Sequence, residues 1–288
     1  MMLLSRVFAV CLTICCFTAI AQPNTEVYLF DLEKTKGGFS LSNPVNVSDN
    51  PGYDNQPSFS SDGITLLYTS FQADEQTDII LYNIAEKKKT RFTETDGSEY
   101  SPTESFNGDL ISTIILERDG RQLLWSYDLK TAEPNVLVED LVIGYHCWYD
   151  ENTLFSFVLG EPATLQKNNL QTAENTVIDE KIGRSLHRIP GKKAISYISK
   201  ATDEWKVMAY QPKNGKQKVL AETLPNVEDM AWTPEGTMIM GQDSQLYYRS
   251  MKDKSWSSLM DLSQFDLTGI TRVAISPDGS KLAVVVNE

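Results

Sequence analysis

One unit recurs six times along this chain of 288 residues, and that recurrence limits the fold more than any other feature. QPSFSSDG occupies 56–63 and SPTESFNG occupies 101–108, with Pro57 and Pro102 45 residues apart. MAWTPEG (230–236) and VAISPDG (273–279) place Gly236 and Gly279 43 residues apart. HCWYDEN (146–152) and LHRIPG (186–191) are weaker copies that fill the gap between Gly108 and Gly236. A fixed period of this length marks an array of identical supersecondary units. Each unit runs a short apolar stretch into a Ser/Pro-Asp-Gly type of turn, where Asp and Gly accept positive φ. Three strand-like runs follow, as in ITLLYTS (64–70), DIILYNI (78–84) and TRFT (90–93), or DLISTIILE (109–117), QLLWSYDL (122–129) and NVLVE (135–139). They are rich in β-branched and aromatic residues, turn residues separate them, and helical periodicity is absent. Four strands in about 40–50 residues is the size of a propeller blade.

The two ends of the repeat array complete one another. VYLFDLEK (27–34) reads as a third strand and LSNPVNVSD (41–49) as a fourth, whereas VAISPDGSKLAVVV (273–286) supplies a first and a second. Joining two strands from each end makes a sixth blade and pairs edges that would otherwise invite aggregation. The expected fold is therefore all-β, a six-bladed β-propeller closed two strands plus two.

The first 21 residues read as a signal peptide, and 22–288 as a single propeller domain. Arg6 precedes an apolar run from Val7, which ends in the small-x-small pattern Ala19-Ile20-Ala21, so cleavage is expected before Gln22. The apolar run is short for a membrane span, which needs about 20 residues. Cys11, Cys15 and Cys16 fall in the signal, leaving Cys147 alone in the processed chain, where it has no intramolecular partner. The formal net charge is −13, and loss of Arg6 makes the chain more acidic still. Such a surface disfavours nucleic acid and anionic membranes. No membrane insertion is expected after cleavage.

PSFSSDGITLLYTS with DIILYNIAEKKKTRFT, and VAISPDGSKLAVVV, resemble the TolB-like propeller repeat, a relative of the WD-repeat. The resemblance spans the processed chain and concerns the propeller part of TolB only. It implies a periplasmic or secreted protein of a Gram-negative bacterium that works through contacts with partners. Prolyl oligopeptidases also carry propellers, but their chemistry sits in an added hydrolase domain with a G-x-S-x-G elbow, which this sequence lacks.

Inner strands line a propeller's channel, so aligned repeats nominate equivalent positions. Phe59, Glu104, Trp148, Arg188, Trp232 and Ile275 form one ring, with Ser58, Thr103, Cys147, His187, Ala231 and Ala274 one residue earlier. Gln56, Ser101, Tyr145, Ser185, Asp229 and Arg272 form a polar ring expected at a channel mouth. Cys147 then reads as a small buried residue rather than a nucleophile. The third and fourth units depart most from the repeat: GYHCWYDEN and IGRSLHRIPG replace the usual turn, and FVLGEPATL (157–165) is unlike the other second-strand exits. Broken local grammar points to a site. The candidate ligand- or partner-binding residues are Tyr145, His146, Trp148, Arg184, His187 and Arg188, which would supply donors, stacking faces and positive charge.

No catalytic constellation is recognisable and no cofactor is expected. The expected role is a monomeric, non-enzymatic platform for a protein or cell-envelope component. A small-ligand or glycan-binding propeller is one alternative. A calcium-dependent, lactonase-type hydrolase is another, with Asn55, Glu99, Glu228 and Asp229 as the oxygen donors that would have to converge.

Overall fold

The computed structural model describes residues 23–287. The proposed signal segment, its cleavage point and the three cysteines within it lie outside the described residues. The described chain forms six four-stranded antiparallel sheets, and one short 3-10 helix, Leu262–Phe265, occurs between two of them. No helix among the described residues is long and apolar enough to cross a membrane.

Blades one to five are contiguous in sequence. Their inner strands are Asp54–Phe59, Ser98–Glu104, Ile143–Asp150, Ile182–Arg188 and Ala231–Trp232. The sixth blade is composite, as the termini predict: Thr268–Ile275 and Lys281–Asn287 from the C-terminal end join Thr25–Thr35 and Gly38–Asn46 from the N-terminal end. Seven antiparallel residue pairs make the seam, from Thr25 opposite Asn287 to Asp31 opposite Lys281. The Lys281 ammonium also pairs with the Asp31 carboxylate across it. The seam lies in the middle of the sixth blade, so neither terminal half-sheet keeps its open edge there, and the ladder between Thr25–Thr35 and Lys281–Asn287 holds the ring shut.

The turn chemistry explains why the unit repeats. Gly63, Gly108, Gly236 and Gly279 all have φ between 72° and 83°, a region that side chains with a Cβ rarely enter. In two of these turns a serine hydroxyl caps the loop on the following aspartate: Ser60 to Asp62 and Ser276 to Asp278, both at 2.6 Å.

Burial lies mainly between blades, because each sheet has an apolar residue on both faces. Leu66, Tyr68 and Ile80 of blade one pack on Val27, Leu29, Ala283 and Val285 of blade six. Phe155 and Leu165 of blade three pack on Leu186, Ile195 and Tyr197 of blade four. A blade-to-blade core of this kind leaves the ring's centre to the side chains of the inner strands.

Candidate functional site

The inner strands surround a central channel with a cavity of about 460 Å³. The ring drawn from sequence is a ring in space. Phe59, Glu104, Trp148, Arg188, Trp232 and Ile275 pair with Leu66, Ile111, Leu154, Ile195, Met238 and Leu282, the equivalent residue of each second strand. These six lie toward the open end of the channel, beside the inner turns. All six candidate residues, Tyr145, His146, Trp148, Arg184, His187 and Arg188, border the cavity.

The other end differs from expectation. The polar ring at the start of the inner strands is not an open mouth but a plug. Arg272, 8% exposed, reaches into the ring from blade six. Its Nε donates to Asn55 Oδ1 at 2.7 Å, its Nη2 to the Tyr145 hydroxyl at 2.8 Å, and its Nη1 to Asp229 Oδ2 at 3.2 Å. These partners belong to blades one, three and five, so the guanidinium sits on the channel axis and closes that end. Its Cζ also lies 5.1 Å from the Tyr145 ring centroid. Burial alone would pull the guanidinium pKa down, but Tyr145 and Asp229 outweigh it and raise it above its ordinary value. Asp229 Oδ1 also accepts the Val273 backbone N–H at 3.0 Å, which ties the sixth inner strand to the fifth blade.

The candidate residues divide between structural duty and availability. Trp148 donates its indole N–H to Ser112 Oγ in the preceding blade at 2.9 Å, and Trp232 does the same to Ser196 at 2.8 Å. The shared geometry makes Trp148 an interblade strut of the repeat. His146 meets the same Ser112 hydroxyl through Nε2 at 2.6 Å. The same hydroxyl lies 3.0 Å from the Thr103 carbonyl, so Ser112 ties His146, Trp148 and the second inner strand together. Burial drives the His146 pKa down to about 3 and keeps the ring neutral. His187 is also lowered by burial, against the opposing pull of Asp229 and the Met230 backbone, and its Nε2 lies 3.0 Å from Ser185 Oγ. Cys147 is buried, which pushes its thiol up to about 12 and leaves it a poor nucleophile. Arg188 is exposed at the open end and stacks on Phe106 of blade two, its Cζ 4.7 Å from the ring centroid. Phe106 is 40% exposed, and the repeat grammar did not single it out because it sits in a turn.

The four oxygen donors named for a cation do not converge. Asn55 and Asp229 are taken by Arg272, and Glu228 pairs with Lys200 at 3.2 Å. Glu99 lies away from the channel, between blades one and two, where Thr93, Thr95 and Asp78 surround it and Arg91 pairs with Asp78 at 2.6 Å. Burial, reinforced by the Asp78 charge, raises the Glu99 pKa well above the carboxylate range. Its counterpart between blades six and one is Asp54, near Glu26, raised by burial to about 7. Among the described residues no group of three or more His, Cys, Asp or Glu side chains is arranged to hold a metal ion.

No protein-family model matches the sequence, and no curated protein is similar to it at a significant level. Solved structures are similar in fold. A protein of Agrobacterium tumefaciens described as TolB superposes with a TM-score of 0.71 at 13% identity, over 93% of this chain and 99% of that one. TolB of Acinetobacter baumannii gives 0.58 at 14% identity, over 92% of this chain and 64% of that one. A gluconolactonase of Xanthomonas campestris gives 0.64 at 7% identity, over 93% and 98%. At these identities the likeness is one of fold, and the same ring serves both TolB and a lactonase.

Proposed function

We propose that the chain is an exported, non-enzymatic binding propeller of the bacterial cell envelope, which seats part of a protein or envelope partner in the open end of its channel. The observation that carries this reading is that the channel is blind. Arg272 closes one end with bonds to three other blades, while the opposite end keeps an exposed cation and exposed apolar side chains. Ile64 at 51% and Phe106 at 40% exposure stand on that open face, where they offer contact area to a partner. The groups of the channel that could do acid–base or nucleophilic work are otherwise engaged: His146 with Ser112, His187 with Ser185, Asp229 with Arg272 and Glu104 with the Ser61 backbone N–H, while the Cys147 thiol is buried in its protonated form. The TolB-like repeat and the leader-like first 21 residues support an envelope location.

A photo-crosslinking amino acid at position 106 tests the reading in the native host. A discrete adduct should form there, and Arg188→Ala should abolish it. An equal yield of the same adduct from position 177, on the outer rim, would sink it. N-terminal sequencing of the secreted or periplasmic chain should begin at Gln22.

A second reading rests on depth. A blind cavity of about 460 Å³ with Trp232, Phe106 and Glu104 on its walls has the size of a small-ligand pocket. Saturation-transfer NMR against a panel of envelope glycans separates the two readings, because only this second one expects transfer without a protein partner.

A further inference from the structure

A second cavity, of about 510 Å³, opens at the plugged end of the ring between blades three and four. One wall is the aberrant segment 157–165. Phe157, Leu159 and Ala163 border the cavity, and Leu159 is 47% exposed. The facing wall carries Lys181, Arg184 and Lys200, with Glu228 beside them. Three cations against one carboxylate reverse the sign of an otherwise acidic chain at this spot.

Those cations are incompletely neutralised. Glu228 accepts a hydrogen bond from Lys200 at 3.2 Å, but it lies 3.7 Å from Arg184 Nη1. Arg184 Nη2 donates to the Thr271 carbonyl at 2.9 Å. Its Nε is buried 3.7 Å from Asp229 and has no hydrogen-bond partner. The Lys181 ammonium has no ion-pair partner among the described residues. An arginine with one normal hydrogen bond and two long ion pairs is an unfinished anion site, since its planar fork can hold two carboxylate oxygens at once. Tyr145 and Phe157, packed edge to face at 5.7 Å, give the same cavity an apolar side.

We propose that this cavity binds a carboxylate attached to an apolar body. The carboxylate lies among Lys181, Lys200 and Arg184, and the body lies against Phe157 and Leu159. Two sources present that chemistry: a free hydrophobic acid, or the C-terminal residue of a peptide chain. The site lies at the opposite end of the ring from the channel mouth and shares Tyr145 and Arg184 with the channel cavity.

Calorimetric titration of the whole processed chain tests it with two probes, phenylacetate and a pentapeptide ending in a free leucine carboxylate, each beside its amide. At least one acid should bind, with its amide about tenfold weaker or more, as loss of a charge-assisted hydrogen bond requires. Lys181→Gln and Leu159→Asp, both at the rim, should each weaken that binding about fivefold without moving the melting temperature. Tighter binding of the peptide assigns the site to chain ends, and tighter binding of phenylacetate assigns it to small acids. The proposal is overturned if neither acid binds at millimolar concentration, if acids and amides bind alike, or if both variants bind as the parent does.

Discussion

Two arginines divide the labour at the two ends of the channel. Arg272 is buried, spans the ring, and has three side-chain partners on three blades. Arg188 is exposed at the far end and rests on an exposed phenylalanine. The residue type is the same, so the difference lies in what surrounds it. A buried guanidinium is tolerable only when its donors and its charge are answered, and Asn55, Tyr145 and Asp229 answer them. An exposed one is hydrated and can exchange water for a partner at little loss. The plugged end thus holds the ring together, and the open end is left to bind.

Arg272→Met should be the most damaging change, because it leaves Asp229 in the ring without its closest cation. A loss of about 3–5 kcal/mol is expected, read by chemical denaturation, with a fall in melting temperature of roughly 6–15 °C. Arg272→Met combined with Asp229→Asn should recover part of it. A neutral single variant would break the distinction between the two ends.

The interblade carboxylates sharpen the comparison by setting a pH dependence that belongs to the scaffold. Burial holds Glu99 above its ordinary 4.5, and Asp54 above 3.8 to about 7. A carboxyl whose folded pKa is raised favours folding in its protonated form. Its contribution is complete below the unfolded pKa and is lost as pH rises through the folded one. The melting temperature should therefore fall between about pH 4 and about pH 8. Glu99→Gln, which keeps a neutral side chain of the same shape, should flatten the fall and stabilise the alkaline end by about 1–2 kcal/mol. A steeper fall in the variant would show that Glu99 is charged in the fold.

Arg188→Ala should have the smallest effect on stability, within about 0.5–1 kcal/mol, since an exposed cation–π contact contributes no more than that. It should nevertheless abolish the crosslink at position 106. A large loss of stability would make Arg188 a second structural arginine and remove the contrast.

The candidate residues were legible by type and position but not by duty. His146 and Trp148 stood out because their unit breaks the repeat, yet both turn toward Ser112 of the neighbouring blade. Trp232, at the same place in an ordinary unit, makes the same bond to Ser196. That comparison identifies the role of Trp148, and it requires knowing which serine faces the indole. Phe106 escaped notice because turns carry no periodic signal. Arg272 was visible as one member of a polar ring, and its charge beside Asp229 one unit earlier was the available clue.

The sequence by itself determined the blade and the number of blades. Turn glycines, strand alternation and a period near 45 are local properties, set by φ tolerance and side-chain direction within a few residues. It also determined the closure, because two half-blades at opposite ends have only one way to bury their edges. Tertiary structure alone decided that one end of the channel is shut. The bonds of Arg272 join residues 217, 127 and 43 positions away, and no local preference encodes which side chain crosses a ring to meet another. Those meetings depend on the distance across the channel, which exists only once all six blades are in place.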